Sequence, residues 1–405
     1  MKSGWQTKKL AEVCQIKPPK SEARQRLSET DLVSFVPMED LGINQKIFIP
    51  TQTKPLAEVA GSYTYFAEGD VLLAKITPCF ENGKLGIASN LTNGIGFGSS
   101  EYIVFRPDKS INMDWLYYFL SREAFRVEGA AQMNGAVGHK RVAKEFIESY
   151  LIPVPPLREQ QRIIGILDKA FNGIATAKAN AEKNLQNGRA LFESHLQSVF
   201  TQRGEGWVEK RLGEVAESIS TGPFGTMLHK SDYVSGGIPL VNPMNIVDSK
   251  IVPSSKMMVS EETRDRLTSY VLKTGNIVIG RRGELGRCAL VTEHETGWLC
   301  GTGSFFVRLS DSMDGEFFVV LFGSKQFKAR LEASAVGTTM SSLNHGILDD
   351  LVLLVPPLAE QRKIMVKAHK LLSETQRLES IYQQKLATLE ELKKSLLHQA
   401  FSGQL

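Results

Sequence analysis

The sequence predicts an α/β (α+β) protein with an internal pseudo-two-fold repeat: two globular domains separated by two long antiparallel helices. Three observations predict it. The segment Pro155-Pro156-Leu157-Arg158-Glu159-Gln160 returns as Pro356-Pro357-Leu358-Ala359-Glu360-Gln361, 201 residues later. Leu191 to Phe200 matches Leu392 to Phe401 at the same offset, and Gly4-Trp5, Leu10 and Glu12-Val13 recur as Gly206-Trp207, Leu212 and Glu214-Val215. A repeat this long marks two domain-sized units rather than a solenoid. After each Pro-Pro box, apolar residues then recur at three- and four-residue steps, close to a coiled-coil seam.

The elements follow in order. The first domain, 1–154, is a mixed unit with short strands at Val71-Leu72-Leu73-Ala74 and Tyr102-Ile103-Val104-Phe105 and an aromatic-rich helix around Met113–Val127. The second, 203–355, repeats this with Ile277-Val278-Ile279, Phe305-Phe306-Val307 and a helix around Glu316–Leu331. Each domain ends in an apolar run, Tyr150 to Val154 and Leu351 to Val355, closed by two prolines that stop the strand and permit a helix just after them. Spacer helix 1 occupies 155–202 and spacer helix 2 occupies 356–405. The first carries Ile163, Leu167, Ala170, Ile174, Ala177, Ala181 and Leu185; the second carries Ile364, Ala368, Leu371, Thr375, Leu378, Tyr382, Leu386, Leu389 and Leu392. Kinks are expected at Asn172-Gly173 and Asn187-Gly188, because each helical glycine costs about 1 kcal/mol. Each helix has one apolar stripe and needs a partner. Antiparallel pairing suits the order of the segments, since the second helix starts at the second domain and has no further domain to reach.

Composition sets the bounds. With 42% hydrophobic and 23% charged residues the chain reads as soluble and globular. No apolar run approaches the roughly 18 residues of a membrane span, and Met1 to Trp5 starts no apolar signal segment, so a cytoplasmic location with no membrane partner is expected. Cys14, Cys79, Cys288 and Cys300 lie far apart and read as ordinary thiols. A net charge of +4, from 48 basic and 44 acidic residues, permits a polyanionic partner without demanding one.

Two loops stand out because they recur. Gly69 to Lys84 places Lys75, Thr77, Asn82 and Lys84 after a strand, and Gly275 to Arg287 places Arg281, Arg282 and Arg287 in the same position. Arginine suits bidentate contact with guanine, asparagine with adenine and lysine with phosphate. A solvated turn is the alternative for each loop. Thr226 with Lys230, and Asn242 with Asn245, put small polar residues near backbone open to a phosphate, although either segment alone reads first as a turn. Lys140 and Arg141, and Thr338 and Thr339, precede the last strand of each domain. Catalytic patterns are absent from the sequence. Asn242-Pro243-Met244-Asn245 lacks the second proline and the aromatic residue with which adenine methyltransferases grip a base. Gly94-Ile95-Gly96-Phe97-Gly98 neither follows a convincing strand nor opens a helix, so it is a poor nucleotide loop. His195, His369 and His398 fall on the helices without metal-ligand spacing. No catalytic residue, metal or cofactor is implied for the chain.

Two mixed domains alternating with two equal helices, each introduced by Pro-Pro-Leu-x-Glu-Gln, resemble the specificity (S) subunit of type I restriction-modification systems. The resemblance covers essentially the whole chain and rests on both boxes, the Gly69–Lys84 segment and the ending Ser395 to Leu405. It implies two target recognition domains, each reading one half of a bipartite, asymmetric double-stranded DNA sequence. It also implies helices that set the spacing and dock two modification (methyltransferase) subunits, with restriction (ATP-dependent translocase and nuclease) subunits supplying translocation and cleavage. The chain would then be a non-catalytic subunit. Helices of about 60 Å agree with readers spaced by somewhat under two turns of DNA. Two other readings are a duplicated protein scaffold that joins two partner subunits without binding DNA, and a stand-alone methyltransferase, which the missing cofactor motif disfavours. Steep salt dependence of DNA affinity separates the first of these from a DNA reader.

Overall fold

The computed structural model describes residues 4–136, 138–201, 204–224, 227–334 and 343–405. The first domain closes on itself: strand Gln6–Lys9 pairs antiparallel with Leu151–Val154, the apolar run before the first Pro-Pro. Its central sheet has the order Cys14–Ile16, Tyr102–Pro107, Val71–Ala74, Leu85–Ala88 and Ile47–Phe48. The middle strand Val71–Ala74 is buried at every position, so it reads as a continuous apolar run rather than an alternating one. A second sheet contains the strands Leu32–Val36 and Ile95–Gly98 paired in parallel. The latter is the Gly94–Gly98 run. A Cβ on Gly96 would lie 2.1 Å from the Phe66 ring, so the glycine is what lets that ring pack.

The second domain repeats the plan. Val208–Arg211 pairs antiparallel with Val352–Val355, and the central sheet runs Ala216–Thr221, Ser304–Leu309, Asn276–Gly280 and Cys288–Leu290. A parallel pair, Tyr233–Val241 with Leu299–Cys300, recurs in its second sheet. The expected aromatic helices are each two helices. Met113–Leu120 and Glu123–Ala131 are separated by Ser121 and Arg122, and Gly315–Gly323 and Lys325–Ser334 by Ser324. Arg122 has extended backbone, lies 3.8 Å from the Phe119 ring centroid and donates to the Phe119 carbonyl, which ends the first helix.

The long helices span Leu157–Thr201 and Leu358–Ser402, each 45 residues. The first is uninterrupted through Gly173 and Gly188, where kinks were expected. A Cβ on Gly188 would lie 4.0 Å from Thr375, an ordinary contact, and one on Gly173 would meet open space. The chain forms two compact units, Met1–Glu182 with Gln383–Leu405, and Lys183–Tyr382, so each long helix is divided between them. Pairing is antiparallel inside each unit: Lys178 meets Glu390 at 2.8 Å in the first, and Arg189 meets Glu379 at 2.5 Å in the second. Along the predicted stripes Ile163, Leu167, Ala181, Ile364, Ala368 and Thr375 are buried, whereas Leu378 and Leu392 are exposed.

The helix ends plug the domains. In the first unit Phe401 lies 4.4 Å from Trp115 and 5.2 Å from Phe119, within a core that includes Leu397 and Ala400. In the second unit Phe200, its repeat equivalent, meets Phe317 at 5.8 Å. The box glutamines fix the helix starts. Gln160 is fully buried: its Oε1 accepts from the Asn112 backbone N–H at 2.8 Å, and its Nε2 donates to the Ser110 and Pro155 carbonyls at 2.9 and 2.8 Å. Gln361 does the same with Asp314, Ser312 and Pro356 at 2.8, 3.0 and 2.9 Å.

Replacing Gln160 by Leu strands one buried and two half-buried backbone groups, a buried one costing about 1–3 kcal/mol when left unpaired. Gln160→Leu is expected to lower protection against hydrogen exchange in the first unit by about 2–4 kcal/mol while leaving the second unit unchanged. Gln361→Leu is expected to do the reverse. Equal losses in both units from either substitution would refute the local role.

Candidate nucleic-acid interface

Three segments meet at one end of the central sheet in each domain. In the first, the strand Val71–Ala74 delivers Lys75, whose backbone N–H donates to the Glu101 carbonyl at 2.9 Å and whose carbonyl accepts from Val142 N–H at 3.0 Å. In the second, Asn276–Gly280 delivers Arg281, whose N–H donates to the Gly303 carbonyl at 2.8 Å and whose carbonyl accepts from Leu343 N–H at 3.0 Å. The loop after the middle strand, the turn before the next strand and the segment before the last helix are therefore joined by the same backbone bonds in both domains. Loop sequences of different length and charge rest on that common frame.

In the first domain the frame gathers Lys75, Thr77, Lys140 and Arg141. Thr77 N–H donates to the Lys140 carbonyl at 2.9 Å, and its hydroxyl donates to Glu81 at 2.9 Å. Arg141 grips Glu101 through two bonds of 2.9 and 2.7 Å, and Lys75 donates to the Ser100 carbonyl at 2.9 Å. Lys84 sits one strand away and donates to the Met38 carbonyl at 2.6 Å. Asn82 and Lys140 are exposed, with no side-chain partner among the described residues.

The second domain divides its cations in the same way. Arg281 is half-buried, donates from Nε to the Leu343 carbonyl at 3.1 Å and lies 5.7 Å from the Phe305 ring. Arg287 bonds Glu284 at 2.8 and 3.0 Å and the Pro243 carbonyl at 3.3 Å. That carbonyl belongs to a Pro243-Met244 pair, as the Met38 carbonyl that Lys84 reaches in the first domain belongs to Pro37-Met38. Arg282 is exposed and has no side-chain partner among the described residues. Lys230 is exposed on a short 3-10 turn.

Two asparagines have internal duties. Asn245 is buried, accepts from Asn242 N–H at 3.0 Å and donates to the Val252 carbonyl at 3.0 Å, so its amide is spent on holding the turn. Asn242 Oδ1 lies 3.4 Å from the Gly303 N–H that it accepts, tying the turn to the loop frame. Thr226, Thr338 and Thr339 lie outside the described residues.

The sequence reading missed two carboxylates. Glu101 and Glu284 each hold cations of the frame, Glu101 with Arg141 and Lys75, Glu284 with Arg287 and Lys328. The hydrogen-bonded Arg141 guanidinium keeps the Glu101 carboxyl below the usual range, and Arg287, then Lys328, do so for Glu284. Burial lowers the Lys75 ammonium below its ordinary value, against the attraction of Glu101. No local signal marks Glu101 in the sequence, since its partner lies 40 residues on. Among the described residues no group of histidine, cysteine or acidic side chains is placed to hold a metal ion.

Because the Glu101 carboxyl is depressed in the folded state, its pairing stabilises the fold above the ordinary glutamate pKa of about 4.3 and fades as pH falls toward the lower folded value. In thermal melts from pH 7 to pH 3, the stability difference between the natural chain and Glu101→Gln is expected to be constant at the top of that range and to shrink below about pH 4.3. A difference independent of pH throughout would refute the pairing.

Comparison with known proteins finds the repeat as two matches. The pattern of the type I restriction modification DNA specificity domain matches residues 2–186 and again 204–391. The specificity subunit of type I restriction enzyme EcoEI from Escherichia coli is 38% identical over 219 residues, which cover 54% of this chain and 36% of that one. The chain thus spans about a third of the length of that relative. Among solved structures, a chain from a study of complex assembly and conformational transition of the type I R-M system superposes with a TM-score of 0.78 at 20% identity, covering 100% of this chain and 99% of that one. The HsdS subunit from Thermoanaerobacter tengcongensis gives 0.71 at 20% identity, covering 100% and 98%. These superpositions establish the two-domain fold with its long helices. With two matched copies covering nearly all of its length, the chain belongs to the type I restriction modification DNA specificity domain family.

Proposed function

We propose that this chain is the sequence-reading subunit of a type I restriction-modification complex, each domain reading one half of a bipartite, asymmetric DNA target. The observation that carries this is the repeated loop frame, one backbone scheme in two domains with different cations mounted on it. A common frame suits a common ligand, the duplex, and different side chains suit different half-sites. Arg282 in the second domain and Asn82 and Lys140 in the first are the exposed groups with hydrogen-bonding capacity to spare. Arg281, Arg287, Lys75, Lys84 and Arg141 are the cations that hold the loops and, on this reading, supply the phosphate contacts.

The chain acts without catalysis of its own. Methylation belongs to two modification subunits, and ATP-driven translocation and cleavage to restriction subunits. Leu191, Val366, Leu372, Ile381 and Leu392 leave apolar side chains exposed on the long helices, and these surfaces serve as docking faces for the modification subunits.

Methylome sequencing of a host carrying this chain with its neighbouring modification subunit, against a host lacking only this chain, tests the reading. A chain-dependent N6-methyladenine signal on one gapped, asymmetric motif is expected. An active modification subunit with no chain-dependent motif would count for the protein-scaffold reading instead. In the same assay Arg282→Ala is expected to relax one half-site only, by about 1–3 kcal/mol of discrimination. A uniform loss on every DNA sequence would mark Arg282 as a phosphate contact.

A further inference from the structure

Beside the Lys75 loop the first domain opens a cleft of about 430 Å³, within the roughly 300–1,000 Å³ of small-molecule sites. Its floor is apolar, formed by Ile16, Ile103, Val142 and Ile147. Tyr65 and Tyr102 add ring surface only, because their hydroxyls donate elsewhere, to Glu22 at 3.1 Å and the Pro37 carbonyl at 2.8 Å. Tyr63 is half-buried at the wall, its ring edge-on to Phe35 at 4.8 Å.

The rim is cationic. Lys17, Lys20, Lys75 and Lys144 border the cleft; Glu148 lies 3.3 Å from Lys144, Glu101 lies 4.0 Å from Lys75 while also binding Arg141, and Lys20 donates to the Gly61 carbonyl at 2.7 Å. Lys17 is held at φ 59°, a left-handed conformation that costs a residue with a side chain about 1–2 kcal/mol. Its backbone N–H is fixed to the Val104 carbonyl at 2.8 Å, while its ammonium has no partner among the described residues. After burial, Lys17 is the first charge that lowers the Lys20 ammonium, and it adds to the lowering of Lys75. Several cations therefore share one rim with too little anion to neutralise them.

We infer that this cleft is a nucleotide site, its apolar and aromatic floor taking a base and its lysine rim taking the phosphate. A base has the flat apolar faces that such walls accept, and a phosphate supplies the missing negative charge. Lys75 belongs to both the cleft and the loop frame, so the nucleotide is either an unstacked unit of a bound strand or a free mononucleotide. The chemistry of the site is the same in both cases, and it stands independently of the bipartite reading.

The test titrates dAMP, dGMP, dCMP and dTMP into the full chain by calorimetry and saturation-transfer NMR, with inorganic phosphate in parallel. Saturable nucleotide binding, about tenfold or more tighter than phosphate, is expected. Lys17→Asn is expected to weaken it about tenfold, the loss of one charge-assisted contact, and Lys17→Asn with Lys20→Ala more. Asparagine tolerates the left-handed backbone, so an unchanged melting temperature separates lost binding from lost fold. Displacement of the nucleotide by duplex DNA assigns the site to a strand unit, and simultaneous binding assigns it to a free nucleotide. Absence of saturable binding for all four, or equal affinity for phosphate and nucleotides, or undiminished binding in the double variant, overturns the inference.

Discussion

A buried amide sets the architecture. Taking an amide out of water without partners costs several kcal/mol, yet Gln160 and Gln361 are both fully buried, each with three hydrogen bonds. Each bond ends on backbone, one in the helix's own Pro-Pro turn and two in the loop that starts the domain's aromatic helix. The direction in which each long helix leaves its domain is thereby fixed by directional contacts rather than by apolar packing alone. Glutamate has no donor and would face two carbonyls with negative charge; leucine would strand all three backbone groups. The neighbouring prolines complete the corner, because they end the strand that closes each domain and preset the first turn of the helix.

The rest of the packing follows from that corner. With the helix start pinned beside the aromatic helix, Trp115 donates to the Pro153 carbonyl at 2.9 Å, and the same Trp115 receives Phe401 on its ring. The first unit thus closes with side chains from residues nearly three hundred positions apart, and it is discontinuous in sequence as a result. The second unit makes the equivalent contact with Phe200 and is continuous. The helix ends are part of the domain cores, so removing them exposes Trp115 and Phe317 rather than merely shortening a linker.

Much of this was legible because the chain states it twice. The boxes, the helix lengths, the central strands and the antiparallel return all follow from recurrence and period. What escaped was decided by tertiary contact. Ile95–Gly98 was not among the expected strands, yet its Gly96 admits the Phe66 ring beside a sheet. Arg122 breaks a helix by folding onto Phe119, a contact that no propensity encodes. Leu378 and Leu392 fit the apolar period but remain exposed, since two helices cover only part of each other's circumference. In the site, the strand-to-loop position of Lys75 and Arg281 was visible in their shared register. Glu101 was not, because its partner Arg141 lies 40 residues on; Glu284 and Asn245 bond residues only a few positions away, but turn geometry rather than any period decides those contacts.

That division carries a rule about how such a site diverges. A cation that donates to a backbone carbonyl, as Arg281 does to Leu343 and Lys84 does to Met38, shapes its loop and is costly to change. An exposed group without a partner, as at Arg282, Asn82 or Lys140, contributes nothing to the loop's geometry and is free to vary with the ligand. Glu101 and Glu284 add a second constraint, since each balances the charge of its frame. On the proposed reading, affinity and selectivity rest on different residues of one small loop cluster, and the frame stays fixed in two domains while the side chains mounted on it differ.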